Sequence, residues 1–143
     1  MDIPDYEISL DPDRIDVAAT HAFLAGTYWA KDIPLSTLRK AIANSLCVAA
    51  FAGGEQVGFA RLVTDYATFA YLADVYVLEA HRGRGLSRRL VAALLGHPET
   101  QGLRRLMLVT RDAHGLYGKF GFTELAHPAR VMELHRPDIY RAD

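Results

Sequence analysis

The chain has 143 residues, half of them hydrophobic and 23% charged, which fits a single globular domain burying about two thirds of its unfolded surface. A net charge of −1 argues against a dedicated nucleic-acid binder, which is basic as a rule. The single cysteine, Cys47, leaves no intramolecular disulfide framework and suits a reducing compartment. The opening MDIPDYEISL lacks the basic start and apolar run of a signal peptide, and no stretch reaches the roughly 18 apolar residues of a membrane span. The expectation is a soluble, cytoplasmic protein with no membrane partner.

Tyr6 to Leu10 alternates as a short strand and is closed by Asp11-Pro12-Asp13. Ile15, Ala18, Ala19, Ala22 and Phe23 follow with helical spacing, capped by Asp13 or Asp11 and ended by Gly26. The segment from Thr27 to Pro34 reads as a loop holding the only tryptophan; Tyr28 and Trp29 either line an acceptor pocket or plug the core. A second amphipathic helix runs through Leu35, Leu38, Ala41, Ile42 and Leu46. The wholly apolar run from Leu46 to Ala52 predicts a central strand, turned by Gly53-Gly54 into a hairpin partner from Gln56 to Val63. Cys47, with no basic neighbour in sequence, reads as a buried inert thiol. Arg61, a charge on an apolar strand, needs a partner, and Asp65 and Asp74 are the candidates.

The stretch from 68 to 95 organises the rest. Thr68 to Leu78 carries one charge, Asp74, among strand formers, and Leu86, Leu90, Val91, Leu94 and Leu95 fall on one side of a helix stopped by Gly96 and Pro98. Between strand and helix lies His81-Arg82-Gly83-Arg84-Gly85. A helix N-terminus is electropositive and usually takes acidic residues, yet here Arg84, Arg88 and Arg89 crowd it. With glycines that let backbone approach a ligand closely, the turn implies an anion such as a phosphate or pyrophosphate. No Gly-Lys-Ser/Thr follows, so it is not a Walker A loop, and Arg88 stands where a dinucleotide fingerprint would place its third glycine.

Leu103 to Val109 predicts another buried strand, parallel to the 68–78 strand because a crossover helix separates them. Ala113, Leu116, Tyr117 and Phe120 share one face of a short helix capped by Asp112 or Thr110 and closed by a left-handed Gly121. Gly115 and Gly118 weaken it by about 1 kcal/mol each relative to alanine. Phe122 to Leu125 and Arg130 to His135 read as a closing antiparallel pair, with no role assigned to the tail from Arg136. The six histidines show no metal-ligand spacing.

Arg82-Gly83-Arg84-Gly85-Leu86-Ser87 resembles the Arg/Gln-x-x-Gly-x-Gly/Ala signature of the GNAT superfamily of acetyl-CoA-dependent N-acetyltransferases, with Ser87 in place of the last small residue. Ala113 to Phe122 is similar to the family's Ala-x-x-Leu-Tyr-x-Lys-x-Gly-Phe. The resemblance implies one α/β domain over residues 1–143, with a mixed sheet of about seven strands and four helices. In that fold a central parallel strand pair splays to admit the pantetheine arm of coenzyme A. It implies transfer of acetyl from acetyl-CoA directly to a primary amine on a small molecule or a protein, and allows a homodimer. Backbone groups of Val75 and Val77 would hold thioester and pantetheine; Arg82, Gly83, Arg84, Gly85, Leu86, Ser87 and Arg88 would hold the diphosphate; Thr110 stands where relatives carry an asparagine. Tyr117 would protonate the leaving thiolate, and Asp74 would take the amine's proton directly or through water, with His114 as a lesser alternative. Tyr28 and Trp29 would contact the acceptor. The alternative is a catalytically silent coenzyme-A-binding module of the same fold.

Overall fold

The computed structural model describes residues 5–141. Strands β1 (Tyr6–Ser9), β2 (Leu46–Ala52), β3 (Glu55–Thr64), β4 (Phe69–Val77) and β5 (Arg105–Leu108) form one sheet in that order. Neighbours are antiparallel except β4 and β5, which are parallel across the predicted helix α3 (Leu86–Leu95). The other helices are α1 (Val17–Leu24), α2 (Leu35–Ala43) and the short α4 (His114–Gly118).

Both faces of the sheet are covered, which is why β2 reads as an unbroken apolar run. Val48 and Ala50 face the cluster built on α3 through Leu86, Leu90, Val91 and Leu94. The alternate residues Cys47, Ala49 and Phe51 face α1 and α2 through Leu24 and Leu38. Gly58 lets α3 settle onto the sheet, since a Cβ there would stand 3.2 Å from Leu90 Cδ1 and 3.2 Å from the Tyr76 carbonyl oxygen. On the other face, buried Gln56 fastens α1: it accepts from the Asp16 N–H at 2.9 Å and donates to Thr20 Oγ1 at 2.8 Å and Tyr76 Oη at 3.2 Å.

Two expectations are corrected. Asp16, not Asp13 or Asp11, caps α1, accepting from the Ala19 N–H at 3.0 Å. Asp11 instead caps a 3-10 turn over Pro12–Arg14, which delays the helix by one turn. Among the described residues there are five strands rather than about seven. The segments 122–125 and 130–135 form no ladder; a 3-10 turn at Pro128–Arg130 separates them, and Met132 and Leu134 are 93% and 76% exposed. Strand propensity needs an edge to pair with, and these segments pair with none among the described residues.

One irregularity positions the site. β5 pairs with β4 only from Phe69↔Arg105 to Leu72↔Leu108, whereas β4 runs on to Val77. Among the described residues, 73–77 therefore have no strand partner on that side, so the parallel pair opens into a gap. The β3–β4 register shifts at the same level, and Asp74 takes a left-handed φ of 57° there.

Candidate active site

The turn after β4 builds an anion cradle from backbone. Gly83 and Gly85 sit at φ of 78° and 75°, and Gly85 is the N-cap of α3 with no side chain bonded to the helix end. Among the described residues, no protein acceptor is bonded to the N–H groups of residues 83–88. The first turn contains no acidic residue, and the described ion pairs use none of Arg82, Arg84, Arg88 or Lys119. A cavity of about 290 Å³ opens over this helix end, with Arg82, Gly83, Ser87, Arg88 and Lys119 in its wall. Uncapped N–H groups, the helix dipole and flanking cations fit a diphosphate.

The cations divide by role. Arg82 donates through Nε to the Val77 carbonyl at 2.9 Å, tying the turn to the end of β4. Arg84 turns toward the sheet, bonded to the Tyr6 hydroxyl, which also meets His81 Nδ1 at 2.8 Å. Arg88 remains at the cavity beside Ser87 and Leu86. Lys119, absent from the sequence-predicted ligands, reaches the same cavity from the end of α4; its place inside the second motif was the available signal.

Tyr117 is 9% exposed, beside the α3 cluster and edge-on to Phe122 at 6.2 Å. Burial, and secondarily the Tyr28 phenol, raises its pKa above the usual tyrosine value. Thr110 Oγ1 accepts from the Ala113 N–H at 3.0 Å and so shapes the entry to α4.

Across the gap, Tyr28 and Trp29 are exposed, not core plugs, and pack edge to face at 5.1 Å. Asp74 holds this wall: Oδ1 accepts from Trp29 Nε1 at 3.0 Å and Oδ2 pairs with Arg61 Nε at 2.9 Å. Arg61 also donates to Ser45 Oγ at 3.2 Å. Asp74 is thus the partner of Arg61, while Asp65 accepts from the Ala67, Thr68 and Phe69 N–H groups and closes the β3–β4 turn. Arg111 lies 3.9 Å over the Tyr28 ring, and burial, with Asp74 adding to it, raises the pKa of Tyr71. Arg111 was not predicted, because only tertiary folding brings it here. Burial pushes the Cys47 thiol up to about 12, so it is no nucleophile at neutral pH. His114 is exposed. Among the described residues no cluster could hold a metal ion, and no helix is long and apolar enough to cross a membrane.

The acetyltransferase (GNAT) family model matches residues 15–122. A solved protein of Xanthomonas campestris pv. campestris, described as belonging to the GNAT family, is 48% identical, covers 99% of this chain and 100% of its own, and superposes with a TM-score of 0.94. Rv2747 of Mycobacterium tuberculosis, solved in complex with CoA, is 25% identical over 83% of this chain and 72% of its own, with a TM-score of 0.67. A Gibberella zeae protein bearing the name of an acetyltransferase is 36% identical, covering 80% of this chain and 77% of its own. With an open cradle at α3 and a gap between its parallel strands, this chain belongs to the acetyltransferase (GNAT) family and is an acetyl-CoA-dependent acyltransferase.

Proposed function

We propose that the acceptor is a primary amine and that the acetyl group passes to it directly across the β4–β5 gap. The observation that supports acetyl-CoA as the donor is the uncapped, cation-flanked N-terminus of α3 at the end of the strand that borders the gap; the amine acceptor rests on the likeness to the family. Acetyl-CoA, when bound, supplies an acyl group already activated as a thioester. Backbone N–H groups from Gly83 to Arg88, with Arg82, Arg88 and Lys119, hold its diphosphate, and the free edge of β4 at Val75 and Val77 holds the pantetheine arm.

The Val75 N–H polarises the acyl oxygen. As the amine nitrogen bonds to the acyl carbon and the carbon–sulfur bond breaks, the Tyr117 hydroxyl donates to the departing sulfur. A thiol near 8.5 and a tyrosine near 10 already make full proton transfer uphill by about 2 kcal/mol. Burial raises Tyr117 further, so its work is a hydrogen bond that strengthens as sulfur gains charge. The amine loses its proton to water held by Asp74, whose carboxylate also fixes Trp29 and the kink of β4. The exposed aromatic pair Tyr28 and Trp29, with Asp74 bonded to Trp29, favours a cationic acceptor.

Thiol release, followed with polyamine, amino-acid, aryl-amine, aminoglycoside and lysine-peptide acceptors, tests the reading. A cationic amine is expected to be turned over and to appear as its N-acetyl product. Failure of every amine to react, with turnover only of alcohol or thiol acceptors added to the same panel, contradicts the acceptor class.

A further inference from the structure

The turn that forms the anion cradle has little support of its own. Gly83 and Gly85 are both left-handed, open space lies where a side chain on either would begin, and residues 83 and 84 take part in no backbone hydrogen bond among the described residues. Glycine loses more freedom on ordering than any other residue. Groups outside the turn must therefore hold it if its N–H groups are to wait in place for a ligand. Arg82 ties one side to the Val77 carbonyl.

Tyr6 ties the other. It is the first residue of β1, 75 residues before His81 and 78 before Arg84. Its hydroxyl lies 2.8 Å from His81 Nδ1 and accepts from Arg84, so a single oxygen bridges the residues on either side of Arg82 and Gly83. Arginine can only donate, which leaves the hydroxyl proton for His81 Nδ1. The rings add to the link: His81 meets Tyr6 edge-on at 5.6 Å, and the Arg84 guanidinium stands 5.9 Å over the Tyr6 ring. Arg89, in the first turn of α3, donates to the Tyr6 carbonyl at 3.5 Å. Gly83 and Gly85 both line the cavity of about 290 Å³, whereas Arg84 between them does not.

We infer that Tyr6 is a positioning residue for coenzyme A: with His81 and Arg84 it staples the turn, so that the cradle N–H groups are ordered before the diphosphate arrives. Arg84 is the second arm of this staple and not a phosphate ligand. An ordered site binds more tightly because less freedom is lost on binding. The inference rests on the reading of the α3 end as the diphosphate site and is independent of the acceptor.

Titration calorimetry with coenzyme A and with pantetheine, which lacks the diphosphate, tests it on the wild type, Tyr6→Phe, Arg84→Ala and the double variant. Tyr6→Phe is expected to weaken coenzyme A about tenfold and pantetheine not at all, and to raise the KM for acetyl-CoA with kcat unchanged. Most of its effect should vanish when Arg84 is already alanine. Nitrogen-15 relaxation of the ligand-free protein should show lower backbone order at residues 82–86 in either single variant, a change that loss of a phosphate contact alone would not produce. Unchanged coenzyme A affinity in Tyr6→Phe, an equal loss for both ligands, or full additivity of the two substitutions overturns the inference. A wild type that binds the two ligands alike removes the diphosphate reading, and the inference with it. If Tyr6→Phe misfolds, the order parameters of Arg84→Ala decide alone, and an unchanged turn overturns the inference.

Discussion

Tyr117 illustrates how burial fits a side chain to a narrow role. Its phenolate is disfavoured, so its folded pKa lies above the unfolded value. The stability this contributes is complete below about pH 10 and is lost as pH rises through the folded value. The hydroxyl therefore remains a donor through neutral and mildly alkaline pH, and kcat is expected to show no falling limb from Tyr117 below about pH 10. Tyr117→Phe should lower kcat by about 100-fold with little change in the KM for acetyl-CoA; full activity in that variant removes the hydroxyl from the reaction. Asp74 holds Trp29 and Arg61 and is proposed also to assist deprotonation of the amine, so Asp74→Asn should separate the two tasks. The amide can still accept from Trp29, but Arg61 loses its countercharge, and the pH dependence of kcat/KM should move to the alkaline side as unassisted amine deprotonation takes over. An unchanged profile would leave Asp74 with a positioning role only.

Elements explain what could be read from residues alone. The β4–turn–α3 unit was legible because its signals are local: an apolar strand, two glycines, arginines at a helix start and a leucine face. The positions of Gly83, Gly85 and Tyr117 in this frame were legible for the same reason; their roles are proposals. Arg111 was not marked as a site residue, since it meets Tyr28 only when separate elements converge, whereas Lys119, inside the second motif, carried a signal that went unread. The cap of α1 was misplaced because Asp11, Asp13 and Asp16 all offer a carboxylate, and only the 3-10 turn at Pro12–Arg14 selects the last. The closing strand pair failed for a different reason: propensity marks a segment that can pair, not one that has found an edge. Packing predictions belong at this scale too. Leu90, fully buried between α3 and Gly58, should cost about 3 kcal/mol when replaced by alanine. Gln56→Leu leaves the Asp16 N–H and Tyr76 hydroxyl without their partner and should cost about 2 kcal/mol. Chemical denaturation with unchanged slope checks both values.

At the scale of the whole molecule, the sheet divides the work. One face and α3 make the larger core and aim a helix end at the gap, while the other face and α1, α2 support the aromatic wall at Tyr28 and Trp29. The gap exists because β5 stops at Leu108 while β4 continues to Val77 past the kink at Asp74. The proposed function therefore depends on the end of α3 receiving an anion. Titration calorimetry comparing coenzyme A with pantetheine, which lacks the diphosphate, tests that claim most directly. The account predicts that coenzyme A binds at least about 100-fold more tightly, equivalent to roughly 2.7 kcal/mol, and that Arg88→Ala with Lys119→Ala erases most of the difference. Equal affinity for the two ligands, or an advantage of coenzyme A that survives the double substitution intact, would contradict it.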